Sequence, residues 1–375
     1  MEQSVIIIGG GLAGLVSALH LSQRGLDVTL IEKNAYPRHK VCGEYISNEV
    51  LPYLQSLGFD PMSFGAKNIT DFTLSTPGSR SVSTTLPMGG FSISRYCIDS
   101  ELAKLAVAAG TRLIHTTVQQ IDYLGDHFEV RSSKNEIFKA DLVIGSFGKR
   151  SNLDIKMDRD FIKRPSPFLA VKAHYKGDFP EEAVGLHNFE GGYCGVSKVE
   201  NDHINICYIS DFKSFKKYKN IEDFQQQVVA KNKFLDAAFK NFELVFDKPL
   251  TISQVSFATK NPVENHILMC GDSAGMIHPL AGNGMGMAIR SAQMVSELIL
   301  DYSHGRLPNR TALEVAYEKQ WKNEFSARLN SGHIISKLFR LGIFSEMIMI
   351  FLKVFPFVLP FIIRKTHGKP MQAAK

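Results

Sequence analysis

The stretch Val5-Ile6-Ile7-Ile8, followed at once by Gly9-Gly10-Gly11-Leu12-Ala13-Gly14, constrains this chain more than any other. Four consecutive β-branched residues are too short a run for a helix. They read as a strand buried on both faces. Gly9, Gly11 and Gly14 fit G-x-G-x-x-G, and from Leu12 the pattern turns helical through Leu15, Ala18, Leu19 and Leu21 to a stop at Gly25. In the order strand, glycines, helix, the first glycine permits a tight turn and the second lets a pyrophosphate approach the backbone. The third lets helix and strand pack closely. The free N–H groups at the helix start then face the phosphates. Leu26–Ile31 reads as a second strand that ends at Glu32. A carboxylate there accepts hydrogen bonds from both hydroxyls of an adenosine ribose and repels a 2′-phosphate, which disfavours NADP. The plainer alternative is a tight strand-to-helix turn without a ligand.

A second glycine-rich stretch, "HILMCGDSAGMIHPLAGNGMGMAIRSAQMVSELI", lies far downstream. Ile267–Cys270 is a short apolar run, Gly271-Asp272 follow, and Pro279, Gly282, Gly284 and Gly286 open a helix with Ala288, Ile289, Ala292, Val295 and Leu298 on its apolar side. Asp272 can accept a hydrogen bond from a polyol hydroxyl. The helix start at Gly282-Asn283-Gly284-Met285 offers N–H groups and the positive end of a dipole. A flavin has a ribityl chain and gains negative charge at its N1–C2=O edge on reduction; NAD has neither.

With these pieces in place, the chain resembles the FAD-dependent oxidoreductases of the p-hydroxybenzoate-hydroxylase fold, and among them the geranylgeranyl reductase branch. The matching segments are GGGLAG at 9–14 with Glu32, YPRHKVCGE at 36–44, ISRYCIDSELAKLAVAAG at 93–110, ADLVIGSFGKRS at 140–151 and GDSAGMIHPLAGNGMGMAI at 271–289. They fall in the family's order over roughly the first 300 residues. The resemblance implies FAD, with Gly9, Gly11, Leu12, Ala13, Gly14, Glu32 and Lys33 around its ADP half. It puts Arg38 and Lys40 near the pyrophosphate or the flavin, Arg95 close to the cofactor, Val118 at the adenine and Gly148 in the third motif. It gives Asp272 the ribityl or phosphate region, and sets Pro279, Gly282, Asn283, Gly284 and Met285 at the isoalloxazine. Cys42 matches a cysteine that the branch carries beside flavin and substrate, and Tyr193 follows two glycines able to bring its strand near the ring; these two are the catalytic candidates. Plainer roles exist for several. Arg38 and Lys40 can be solvated loop charges, Arg95 and Asp99 can serve the start of a helix, and Cys42 can be a small buried hydrophobe. The chain departs from the family at Phe147, where an aspartate belongs, which leaves the binding of a nicotinamide reductant open. It also lacks the branch's Y-x-W-x-F-P strand and the halogenases' W-x-W-x-I-P; its one tryptophan is Trp321.

The implied fold is α/β with mixed α+β character: a three-layer, Rossmann-type FAD-binding domain, an antiparallel-sheet substrate domain and C-terminal helices. The first is assigned 1–67, 96–160 and 256–305, the second 68–95 and 161–255, and the helical segment 306–375. Ile69–Leu74, Phe168–Tyr175 and Ile204–Ile209 alternate as half-buried antiparallel strands. The aromatic residues Phe168, Tyr175, Phe189, Tyr193, Tyr208 and Phe257 suit an apolar cavity. Five scattered cysteines without a C-x-x-C pair fit reduced thiols and argue against a disulfide framework or zinc site. No metal-ligand or Ser-His-Asp spacing occurs, so the chemistry falls to the flavin. The first strand starts too early for a signal sequence, which points to the cytoplasm.

Charge is uneven. Residues 310–375 hold eleven Lys/Arg against four Asp/Glu, a net of +7, so the chain's total of +6 leaves −1 elsewhere. No nucleic-acid module accompanies the basic residues. They interleave with apolar stretches, a combination suited to the inner face of an anionic membrane. Leu313, Tyr317, Trp321, Phe325 and Leu329 predict one helix stripe. Beyond it, Pro356 and Pro360 break an apolar segment whose longest uncharged run, Val354–Ile363, is far short of the roughly 20 residues of a membrane span. Residues 335–365 therefore read as interfacial helices, against the alternative of a cap buried on the protein itself. The leading expectation is reduction of polyprenyl-type double bonds, with electrons from NAD(P)H or a reduced carrier protein. The rivals are hydroxylation of an alkylated phenol or quinone precursor and a non-catalytic flavin- or lipid-binding role.

Overall fold

The computed structural model describes residues 3–164, 167–218, 220–255, 257–276, 283–340 and 342–374, with the backbone alone over 331–340 and 342–344. The opening strand, Ser4–Ile8, lies inside a parallel sheet between Asp27–Ile31 and Leu142–Gly145. Arg112–Ile114 and Ile267–Met269 extend that sheet on its two sides, and the short strand Val263–Glu264 closes one edge in antiparallel sense. The helix Leu12–Gln23 is buried along nearly its whole length, from Leu12 to Ser22. It packs against the sheet and against the helices Arg95–Ala108 and Gly284–Ser303. A helix apolar on all sides is one covered on all sides. A three-stranded antiparallel sheet, Val118–Tyr123, Phe128–Ser132 and Ile137–Ala140, adds Phe128, Val130 and Ala140 to the same core. Helices, parallel sheet and small sheet make the three-layer, Rossmann-type arrangement.

A second sheet of nine strands holds the other large core. Phe168–Lys176, Ile204–Asp211, Gly192–Lys198 and Ala183–Phe189 run antiparallel in that spatial order, and Ala183–Phe189 then pairs in parallel with Lys67–Ser75. Two of the strands expected to be half-buried are buried on both faces: Phe168–Lys176 and Ile204–Asp211. The reason is that helices cover one side. Ile221–Gln227 and Lys233–Asn241 put Phe224 and Leu235 against Tyr175, Phe189 and Tyr208. Those three aromatics therefore belong to the core under the helices, whereas Phe168, Tyr193 and Phe257 cluster on the opposite face. Tyr45–Ser47, within the stretch 1–67, is an edge strand of this second sheet.

The four-residue stripe forms one long helix, Arg310–Arg340, in which Leu313, Tyr317, Trp321 and Phe325 are buried. Each such side chain contributes on the order of 1.5–3 kcal/mol by burial. Two shorter helices follow, Gly342–Val354 and Val358–Thr366. The tail then returns to the short helices between Asn48 and Ser56. Met371 is buried and its N–H donates to the Glu49 carbonyl at 2.7 Å, and the Ala374 N–H donates to Ser56 Oγ at 2.8 Å.

Candidate cofactor and substrate site

The first strand delivers its glycines to the carboxyl end of the parallel sheet, where open α/β sheets bind ligands. Gly9 has φ +104°, and a β-carbon on it would collide with the backbone of Ser146 and Phe147. One on Gly14 would overlap the Gly9 carbonyl and Ser146 Oγ. These two glycines set strand and helix against each other. Gly11 differs: a β-carbon there meets only the Arg95 guanidinium, at 3.8 Å. Leu12 and Ala13 are buried in the first turn of the helix, and the Ala13 methyl packs against Gly271.

Glu32, buried at the end of the second strand, accepts the Gly10 N–H at 2.7 Å and the Asn34 N–H at 3.0 Å. Lys33 beside it is exposed. Tyr36 donates from its hydroxyl to the Gly10 carbonyl at 2.6 Å, and burial followed by the nearby Glu32 and Asp99 charges keeps that phenol protonated. Lys40 reaches the same carbonyl at 3.3 Å and forms an ion pair with Asp99 at 2.7 Å. Arg95 clasps Asp99 with two bonds of 2.8 Å each. Asp99 is fully buried. Burial pushes its carboxyl up, but Arg95 and Lys40 outweigh that and hold it below the usual carboxylate range. The helix is capped by Ser94, whose Oγ accepts the Cys97 N–H at 3.0 Å, so neither Arg95 nor Asp99 is the cap. Asp99 instead fixes two cations beside Gly10 and Gly11, which leaves one positive charge in excess. Arg38 is half-buried in the preceding loop and makes no ion pair among the described residues.

From the other side, Gly148 has φ +87° and open space where a β-carbon would stand; its N–H donates to Ser273 Oγ at 2.9 Å. Phe147 packs partly against the main core, close to Gly145. Asp272 sits in a single turn, Gly271–Ser273, and its carboxylate accepts no hydrogen bond among the described residues. Lys149 is its charged neighbour. Burial pulls the Lys149 ammonium down and Asp272 pulls it back up. Lys260 braces this corner by donating to the carbonyls of Lys149 and Asp272 at 2.7 and 2.6 Å. The first turn of Gly284–Ser303 faces the site with Gly284 and buried Met285. Asn283 is a correction in part: its Nδ2 donates to Glu49 at 2.9 Å and to the Thr366 carbonyl at 3.4 Å, so its amide points toward the C-terminal tail, and only its backbone is left for a ligand. Pro279 and Gly282 lie outside the described residues. Val118, at the start of the small sheet, is buried at its pairing with Ser132.

Cys42 lies in the loop that crosses from the first sheet to the second. Asn205 pins this loop by donating to the carbonyls of Cys42 and Gly43 at 3.2 and 2.9 Å. Burial pushes the Cys42 thiol up, and that of Cys207 to about 12, so both are neutral at pH 7. Tyr193 is buried among Ala170, Ile209, Val255 and Phe257, with Val41 of the same loop against them. The two glycines before it have another task than the one expected of them. Gly191, at φ +80°, fits against Asp211 and Ser214, and Gly192 fits against Phe189 and the Ile209 carbonyl. They serve the hairpin.

Sequence reading missed the group behind this loop. Glu44 is fully buried at φ +57°, a conformation uncommon for a residue with a side chain. It forms an ion pair with Lys172 at 2.5 Å and bonds His174 Nε2 at 2.8 Å, and it accepts the Arg95 N–H at 2.7 Å. Lys172 and His174 are themselves buried. The His174 ring meets those of His39 and His203 at 5.0 and 5.8 Å. Burial pushes the Glu44 carboxyl up, yet Lys172 and His174 hold it below its ordinary value. A signal did exist: Lys172 is a charge inside the apolar run Phe168-Leu-Ala-Val-Lys-Ala, where a strand buried on both faces tolerates none without a partner.

The residues fit FAD. Gly11 and Gly148 leave room where side chains would stand, Arg95 and Lys40 supply surplus positive charge, and Glu32 and Asp272 supply acceptors for hydroxyls. Comparisons with known proteins agree. The family described as FAD binding domain matches residues 2–310. Digeranylgeranylglycerophospholipid reductase of Methanosarcina mazei is 25% identical over 356 residues, covering 90% of this chain and 85% of that one. Conditioned medium factor receptor 1 of Dictyostelium discoideum is 22% identical over 387 residues, 95% and 72% of the two chains. Among solved structures, a geranylgeranyl bacteriochlorophyll reductase-like protein from Thermoplasma acidophilum aligns with TM-score 0.74 at 18% identity, over 90% of this chain and 88% of that one. The flavin-dependent brominase Bmp2 aligns with TM-score 0.77 at 18% identity, over 98% and 93%. These two likenesses are likenesses of fold.

Proposed function

Because this chain belongs to the FAD binding domain family and is an FAD-dependent oxidoreductase, we propose that it reduces carbon–carbon double bonds of a long isoprenoid lipid. One observation carries the reading. An apolar row on the inner face of the second sheet ends at a single buried, charged group, Glu44–Lys172–His174. Reduction of an isolated double bond needs a dry, apolar bed and one protected proton source. The relatives named digeranylgeranylglycerophospholipid reductases support the lipid class.

FAD, when bound, supplies hydride chemistry. Glu32 would hold its ribose, Arg95 and Lys40 its pyrophosphate, and Asp272 with the first-turn amides of Gly284–Ser303 the remaining polar edge. The chain's own residues do the rest. Cys42, Tyr193 and the Val41 side chain exclude water between loop and sheet. Lys172 lies directly across the ladder from Cys207, so the two share a sheet face and its Nζ is the proton donor assigned in this reading. Glu44 holds that ammonium in place with one oxygen, and His174 bonds the other Glu44 oxygen and fixes the carboxylate. Electrons come from NAD(P)H bound transiently or from a reduced carrier protein. The work is done at the inner face of a membrane.

The test is an anaerobic single turnover of purified protein reduced with dithionite and given a geranylgeranyl glycerophospholipid. A product heavier by one pair of hydrogens, and a Lys172→Met variant that binds FAD but yields at least about tenfold less product, are expected. Unchanged lipid from the wild type, or an oxygen added once air is admitted, would sink the reading.

A further inference from the structure

The helix Gly342–Val354 is apolar on two opposite sides. Met349 and Leu352 are buried against Phe72, Leu74 and Leu186 of the second sheet. Met347, Ile350, Phe351 and Val354, at i, i+3, i+4 and i+7, form a separate stripe that is 48–63% exposed. The chain then bends by 116° into Val358–Thr366. Phe357 at the bend is 71% exposed and Phe361 beyond it 58% exposed. Phe357, Val358, Pro360, Phe361 and Arg364 line a groove of about 440 Å³. Lys353, Arg364 and Lys365 are exposed around this surface. The nearby acid, Glu346, is paired with Arg80 at 3.4 Å and accepts the Gly78 N–H at 3.3 Å. Neither helix is long enough to cross a bilayer. Aromatic and aliphatic side chains on a convex bend, ringed by cations, are the composition of an interfacial element.

We infer that the outer face of this bent helix pair docks on an anionic lipid bilayer and opens the substrate passage toward it. The inner side supplies the passage. Directly paired residues share a sheet face, and one such row runs Lys172, Cys207, Gly195, Leu186, Leu74, Val82. It crosses five strand spacings, about 24 Å. Leu74, Leu186 and Val82 end under the helix pair, and Leu186 also touches the cluster around Tyr193. An isoprenoid tail can thus leave the bilayer beneath the helices and reach Lys172 along apolar surface. The docking stands on the exposed face alone; reading the row as a passage rests on the proposed function.

The experiment is flotation of the full FAD-loaded protein with vesicles of phosphatidylcholine and of a phosphatidylcholine–phosphatidylglycerol mixture. Binding to the anionic vesicles, weakened by salt, is expected. Arg364→Glu with Lys365→Glu lowers it at least about tenfold, since each cation near such a surface is worth about 1 kcal/mol. Phe357→Ser with Phe361→Ser lowers binding to both vesicle types while FAD content and melting temperature stay the same. A Phe357→Trp variant reports insertion directly, by a blue shift of its emission on vesicles; an unshifted emission overturns the inference. So does wild-type protein that stays unbound, or a self-associated wild type that the phenylalanine variants turn into monomer. Turnover of a detergent-dispersed isoprenoid is unaffected by these outer variants, so loss of docking is separable from loss of the proposed reaction.

Discussion

A β-carbon on Gly11 would meet nothing but the tip of Arg95, while one on Gly14 would overlap the Gly9 carbonyl. The same substitution therefore has two different outcomes. Gly11→Val should keep the fold and melting temperature of the apoprotein and lose FAD. Gly14→Val should lower apoprotein stability by several kcal/mol through strand–helix collision, seen by denaturant titration. Lys172 carries a sharper prediction. Lys172→Met leaves the Glu44 carboxylate buried without its cation and should cost about 3–5 kcal/mol; adding Glu44→Gln should restore much of that. A cycle with no coupling would mean that the pair contributes nothing. The pH dependence has a definite sign. A carboxylate held below its ordinary value, as Glu44 and Asp99 are, stabilises the fold above about pH 4.3, and the effect is lost as pH falls through the folded value. His39 acts in the same direction from higher up. Burial first, then Lys172 and His174, push it down to about 4, so the unfolded chain takes its proton near pH 6.5 and the folded chain does not. Acidification from pH 7 to 5 should therefore lower the melting temperature, and His39→Phe should flatten that slope.

Among the elements, the helix Arg95–Ala108 does more than pack. Its first two turns carry Arg95 and Asp99, and Asp99 orients both Arg95 and Lys40. Asp99→Asn should weaken FAD binding about tenfold, about 1.4 kcal/mol, with little change in the helix; titration of apoprotein with FAD checks it, and unchanged affinity would remove Asp99 from the site. This helix also marks how far sequence carries. The glycines, Glu32 and the stripe from Leu313 to Phe325 are legible because each follows from local geometry or periodicity. The role of Asp99 is not, because it depends on Lys40, a residue 59 positions away. Glu44 meets Lys172 and His174 only through tertiary contact, and the glycines before Tyr193 answer to the hairpin that holds them. Two of the three strands read as half-buried, Phe168–Lys176 and Ile204–Asp211, are buried on both faces because the helices covering them come later in the chain.

On the scale of the whole molecule, three pieces meet at one place. The parallel sheet presents the glycines, the second sheet presents Lys172 and an apolar row, and the loop with Cys42 and Glu44 joins them. The C-terminal pair closes the far end of that row, and the tail beyond it is tied back at Glu49 and Ser56. The lipid reduction we propose would use all three. Its most direct measurement is mass spectrometry of lipids from cells expressing the intact protein or Gly11→Val, a change in the glycine motif that spares the fold. The account predicts isoprenoid lipids heavier by pairs of hydrogens with the intact protein and absent with the variant. Lipids heavier by an oxygen atom, or identical extracts in a host shown to make the isoprenoid lipid, would contradict it.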